Sequence, residues 1–406
     1  MTSIKEHFEI PGRYKQWSMG LMGVGVLSLI IGFILYGSDN HGTRFWSALL
    51  QNSVYFLLIV NAAMFFFCAL TLGWGGFQMT FRRVTEAISA SVIPIGAITF
   101  VILMCLVFGG KTTIYEWLDK DLVAHDEALK GKSGFLSPGF FTVYTILTIG
   151  LWIVLGWKMR QLSRSIDDTP LGLGDAKKYI FKNTVWAAVY IVWFALTVAS
   201  VVPWLWLMSI NARWFSTMYS WYTFASSFVA GIALISLFVV YLKNQGYLEY
   251  VNQEHLHDLG KFQFAFSIFW TYLWFDQFML IWYANISEET IYFKTRFEGA
   301  YVGVFYLNLV INFLAPLLIF MKRSSKRNYA TVTFMSVLLI FGHWLDFYQM
   351  VFGSTMKDQV PMNLFDFGIA LGFVGLIMWQ TGRVLSKFPL LAKNHPFLKE
   401  SIIHHT

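Results

Sequence analysis

Residues 262–283 read FQFAFSIFWTYLWFDQFMLIWY, twenty-two positions in which Asp276 is the one charged side chain. A helix needs about 20 apolar residues, each rising ~1.5 Å, to cross ~30 Å of hydrocarbon, whereas strands and buried core helices are shorter. The stretch therefore predicts a membrane-crossing helix. Working outward, comparable runs occupy 17–37, 46–73, 86–109, 138–159, 180–208, 216–242, 262–285, 300–321, 329–352 and 363–386, here numbered spans one to ten. The chain is 56% hydrophobic and 13% charged, against about 25% charged in soluble domains. Its 40 Phe, 17 Trp and 19 Tyr supply the aromatic belts expected at bilayer interfaces. The expected fold class is an all-α integral membrane protein of about ten transmembrane helices. It forms a single polytopic domain over 1–406, with a cytoplasmic N-terminal segment (1–16), an outer loop (110–137) and a cytoplasmic tail (387–406). The first span follows a charged segment with no small-residue cleavage site after it, which predicts a retained anchor.

Orientation comes from the basic residues. With an even number of spans and a cytoplasmic N-terminus, the inner side receives 21 of the 30 Lys and Arg, including Lys5, Arg82, Arg83 and the run Lys322, Arg323, Lys326 and Arg327. The outer side keeps nine: Arg44, Lys111, Lys120, Lys130, Lys132, Arg213, Lys294, Arg296 and Lys357. That bias is the one the positive-inside rule requires, and it places both termini in the cytoplasm. The net charge of +7 therefore sets orientation and needs no nucleic-acid partner. Two cysteines, Cys68 and Cys105, both inside apolar runs, are too few for a disulfide framework, an iron–sulfur cluster or a Cys-based zinc site. The outer loop at 110–137 is rich in Asp, Glu and Lys and holds Tyr115 and Trp117. It suits a surface cap or docking site, or else a solvated connector.

Ionisable groups at membrane depth are costly and usually face a protein interior, which makes them the shortest list of functional candidates. Asp276 falls in the outer half of span seven, with Tyr272 one turn before it. His343 and Asp346 in span nine stand at i and i+3, on one helical face. Asp366 lies near the outer start of span ten, where capping or solvation would also account for it. If spans seven, nine and ten are neighbours, three carboxylates and one imidazole come within reach of one another. An imidazole beside a carboxylate can hold or pass a proton, which suits quinol oxidation or a proton relay; the same pair can instead merely hold helices together. Glu86, three and four residues after Arg83 and Arg82, reads as a local ion pair or an inner proton-uptake group. Gln51, Asn52, Asn61, Asn308 and Asn312 either extend a hydrogen-bonded path or act as interhelical glue. Pro94 and Pro316 should interrupt the ladders of spans three and eight. Of the nine histidines only His343 falls within these spans, which leaves no pair of facing axial ligands for a b-type haem. No GxxxxGK[ST], soluble-context GxGxxG or HExxH motif occurs.

The stretch 257–290, HDLGKFQFAFSIFWTYLWFDQFMLIWYANISEET, resembles the smaller of the two polysulfide-reductase-type (NrfD/PsrC-like) membrane subunits of bacterial alternative complex III, a quinol:electron-acceptor oxidoreductase. The likeness rests on His257, Asp258, Leu259, Gly260 and Lys261 before the apolar run, and on Gln277, Leu280, Ile281, Trp282, Tyr283, Asn285, Glu288 and Glu289 at its far end. The resemblance implies two four-helix bundles, spans 2–5 and 6–9, flanked by spans one and ten, in a bacterial cytoplasmic membrane. It implies a larger homologous quinol-binding subunit, an iron–sulfur subunit and multihaem and monohaem cytochrome c subunits as partners, besides lipids. It implies no redox cofactor in this chain, with quinone or quinol as the ligand to look for. The family pattern carries Ser where this chain has Asp276, and an Arg in span four near Tyr144, after Phe140 and Phe141; both are departures here. Two further readings stay open. Ten spans with intramembrane carboxylates suit an ion-coupled secondary transporter, and a purely structural subunit needs no ligand.

Overall fold

The computed structural model describes residues 6–38, 42–356 and 362–405; Lys5 and Lys357 of the charge count lie outside them. Among the described residues there is no strand, and ten helices are long and apolar enough to cross a membrane: Gly12–Tyr36, Thr43–Leu72, Arg82–Phe108, Pro138–Arg164, Leu173–Asn211, Met218–Asn244, Gln253–Ala284, Gly299–Phe320, Tyr329–Thr355 and Leu364–Lys387. This is a multi-pass helical membrane protein.

Local chemistry sets the boundaries. Span seven begins nine residues before the expected start because Asn252 caps it, its Oδ1 accepting from the amides of Glu254 (2.9 Å) and His255 (3.2 Å). The Asn252 amide in turn bonds His255 Nδ1 at 3.2 Å, closing a capping box. The helix therefore carries two polar turns at its N-terminal end, and His255 and His257 belong to it, so His343 is not the only histidine in a span. Span three breaks at Ala90 and Ser91 into Arg82–Ser89 and Val92–Phe108. Pro94 has no N–H to offer the Ala90 carbonyl. Before Pro316 the chain widens into a π-turn, Val310–Leu314, and span five does the same over Val201–Leu207 around Pro203, a break that the apolar run alone did not signal.

Span two packs on spans three and five, and span four on the same two, which closes a ring. Spans six to nine close a second: six packs on seven and nine, and eight on seven and nine. Spans two and six make the seam between the rings, and their apolar windows are 78% and 83% buried, against 17% for span one. At the seam a Cβ on Gly231 would sit 2.7 Å from the Ala62 Cβ, so only a glycine lets the backbones approach this closely. Spans one and ten pair with each other through facing Gly25 and Gly372, and Tyr14 Oη donates to the Met378 carbonyl at 2.6 Å.

The tail does not hang free. Residues 388–405 fold as a strap over one end of both rings. Asn394 Nδ2 donates to the carbonyls of Ile166 (2.8 Å) and Asp167 (3.0 Å), Ser401 Oγ to that of Phe77 (2.7 Å), and His404 Nε2 lies 2.6 Å from Asp258 Oδ2. On the other side the 110–137 loop is a folded cap. Asp119 and Asp126 start the short helices Lys120–His125 and Glu127–Lys132, and Arg213 Nε grips Asp126 Oδ2 at 2.7 Å. That hydrogen bond holds the Asp126 carboxyl below its ordinary range. Tyr115 Oη donates to the Trp206 carbonyl at 3.0 Å.

Candidate functional site

The second ring closes on one carboxylate. Asp346 Oδ1 accepts from Tyr222 Oη and from Asn308 Nδ2 (3.0 Å), and Oδ2 accepts from Ser226 Oγ (2.7 Å) and Trp270 Nε1 (2.9 Å). The donors come from spans six, seven and eight. Four groups able to donate thus converge on the two carboxylate oxygens. Every side chain in the group is at most 4% exposed. Tyr222 and Trp270 stack with ring centroids 5.8 Å apart, and Trp270 meets the His343 ring edge-on at 5.5 Å. Asn312 Nδ2 extends the network to Asn308 Oδ1 at 2.6 Å.

His343 joins through a hydroxyl. Its Nδ1 lies 3.0 Å from Ser226 Oγ. A serine has one hydrogen to give, and here it goes to Asp346; Oγ then accepts from Nδ1–H, and His343 Nε2 keeps the lone pair. That nitrogen is fully buried and has no hydrogen-bond partner among the described residues. The result is a directional chain, Nδ1–H to Oγ–H to carboxylate, ending in a free basic nitrogen. Chemically it can hold a proton at Nε2 while passing another toward Asp346.

The other expected members do not converge on it. Trp270 and Asp276 are six positions apart on one helix, about 600° of rotation at 3.6 residues per turn, so they point about 120° apart. Asp276 is half-buried, and Tyr272 is 61% exposed on the outer face of span seven. Asp366 is fully buried and pairs with Arg44 Nη2 at 2.8 Å, while also accepting from the Asn363 amide at 2.9 Å. Span ten packs on spans one, two and three, and meets nine through rings, Phe367 stacking on Trp344 at 5.2 Å. That arrangement turns Asp366 to Arg44 and away from the hub, so the assumed convergence fails, and Asp366 is a buried cap and ion pair rather than a solvated one. The amides of span two hold neighbours: Asn52 Oδ1 accepts from Trp344 Nε1 (2.8 Å), Gln51 Nε2 donates to the Trp344 carbonyl (3.3 Å), and Asn61 Oδ1 accepts from Tyr190 Oη (2.6 Å). Tyr222, Ser226 and Trp270 are hub residues that the sequence did not mark. They are common residue types inside apolar runs, and only the folded ring gives them a shared target.

Glu86 belongs to a second buried cluster, at the strap end of the first ring. It meets Arg83 Nη1 at 2.8 Å, Arg82 Nε at 3.4 Å and Arg164 Nε at 3.8 Å, and accepts from Ser163 Oγ. Arg83 also pairs with Asp167, whose carboxyl burial raises despite that cation. Arg82 Nη1 lies 3.1 Å from His395 Nε2. Burial, then Arg82 and Arg83, pushes the His395 imidazole down to about 2, so it docks neutral.

No family model matches the chain, and none of the curated proteins compared with it matches either.

Proposed function

We propose that this chain is a membrane subunit of a bacterial respiratory quinol:electron-acceptor oxidoreductase. In this reading it contributes a proton-holding chain through His343, Ser226 and Asp346, and partner subunits carry the haem and iron–sulfur groups. The observation that carries the proposal is the hydroxyl-bridged path from a buried, unpartnered imidazole nitrogen to a buried carboxylate. The likeness of residues 257–290 to the smaller polysulfide-reductase-type subunit of alternative complex III supports the respiratory setting. In this reading the larger homologous subunit oxidises quinol, and this chain supports it through proton conduction, quinone binding or both.

A structural role for the same hub is favoured by one observation: Asp346 is already satisfied by four donors from three other spans. Proton counting in the assembled complex separates the two readings. Ser226→Ala removes the bridge and leaves three donors on Asp346. The relay reading expects fewer protons moved per electron at unchanged haem content. Wild-type proton yield in assembled S226A complex would leave the hub as interhelical glue. Ion transport by the purified, reconstituted chain alone would favour the transporter instead.

A further inference from the structure

Between the folded cap and the adjoining ends of spans four, five and six lies a groove of about 400 Å³, within the roughly 300–1,000 Å³ of small-molecule sites. Its rim is aromatic: Phe135, Trp204 and Phe215 all line it and are all exposed, and the Phe135 and Trp204 ring centroids are 6.3 Å apart. Met208 adds a flexible apolar wall. Along the same two spans Val143, Leu147, Val192 and Leu196 are exposed, the apolar surface that a bilayer covers. The groove is thus a notch at the end of a lipid-facing wall, at the level where interfacial aromatics gather.

One charged side chain borders it. Lys132, partly exposed, donates from Nζ to the Ala212 carbonyl at 2.6 Å and sits 5.8 Å from the centre of the Phe215 ring. An ammonium has three hydrogens, so that bond leaves two for a ligand. Among the described residues no carboxylate forms an ion pair with it, and Asp126, whose charge it feels, is already gripped by Arg213. Partial burial pulls its pKa below the ordinary lysine value despite Asp126. Ser216 and Thr217 also line the groove, where span six starts without a side-chain cap and leaves its first amides to solvent or a ligand. A partly dehydrated cation without an anion, at one end of an apolar notch, complements an amphiphile with a negative head.

We propose that this groove holds a phospholipid of the cap-side leaflet, its phosphate on the Lys132 ammonium and the first part of an acyl chain against Phe135, Trp204 and Met208. Free phosphate would leave the aromatic rim unused, and an apolar segment of a partner would leave the cation unused. The site goes beyond the respiratory reading and does not depend on it.

The test is native mass spectrometry of the purified, delipidated full chain titrated with phosphatidylglycerol, with diacylglycerol, which has the chains without the phosphate, or with inorganic phosphate. Wild type should hold one phosphatidylglycerol more tightly than any further copy, and should bind diacylglycerol and inorganic phosphate more weakly by roughly tenfold or more, the scale of one hydrogen bond to a charged group. Lys132→Gln should weaken the first phosphatidylglycerol by the same factor, and Lys132→Arg, which keeps the charge, should bind it as wild type does. Lys130→Gln removes an equal charge from an exposed position outside the groove and should also match wild type. In native membranes a photo-crosslinking residue replacing Phe215 should capture lipid. Equal binding of diacylglycerol or inorganic phosphate, a K132Q titration that overlays wild type or is matched by K130Q, or a protein adduct at position 215 overturns the proposal.

Discussion

Asp346 and Asp276 are both carboxylates at membrane depth, and their surroundings make them opposites. Asp346 accepts four donors, so Asp346→Asn turns an –NH₂ toward groups arranged to donate and leaves at least one of them unmatched unless a hydroxyl rotates away. A loss of roughly 1–3 kcal/mol is expected, read as a lower Tm in detergent with the helix content kept. Asp276→Leu should leave Tm unchanged or raise it, because among the described residues no hydrogen bond or ion pair holds this half-buried carboxylate, and a carboxylate at membrane depth costs roughly 2.5–3.5 kcal/mol on insertion scales. A larger loss at Asp276 than at Asp346 would reverse these assignments. The His343 and Asp346 pair was legible because i and i+3 spacing shows in one dimension. Their donors were not, since Tyr222, Ser226 and Trp270 are brought to Asp346 by ring closure across more than seventy residues of chain. Nor was the outward turn of Asp276, which depends on the side of span seven that faces span six.

Among the elements, the prolines announced two of the breaks, at Pro94 and Pro316, because a missing N–H acts locally. The strap was illegible: its short, mixed sequence has no periodicity, and its order comes from the carbonyls and side chains it meets on both rings. It carries a pH dependence through His395. The folded protein binds fewer protons there than the unfolded chain between about pH 2 and the ordinary imidazole value of 6.5, so stability rises with pH over that interval and levels off above it. Going from pH 7.5 to 5.5 should remove about 1.4 kcal/mol. His395→Gln should flatten that part of the Tm profile relative to wild type; a profile of unchanged slope would mean the imidazole is not docked neutral. At the seam, Gly231→Leu should separate spans two and six and cost roughly 1–3 kcal/mol or more through overpacking. The same change at Gly303, whose Cβ would meet nothing within 4 Å, should be nearly silent.

For the whole molecule, the number and placement of the spans were readable because apolar length is a direct requirement of the bilayer. The pairing of helices was not, as the partner of Asp366 illustrates: Arg44 lies more than three hundred residues away in sequence. The charge bias of 21 inner to nine outer basic residues predicts that a C-terminal tag stays shielded from a membrane-impermeant reagent in intact cells. Labelling from outside would invert the topology and put the Arg82 cluster on the other face. The central claim, that the chain works as one subunit among electron carriers, is tested most directly by purifying it in mild detergent and reading both the masses of the co-purifying chains and the c-type haem absorbance. The account predicts haem-bearing cytochrome chains and a second, larger polytopic subunit in fixed proportion to this one. Recovery of this chain alone, or only with copies of itself and without haem absorbance, would contradict it.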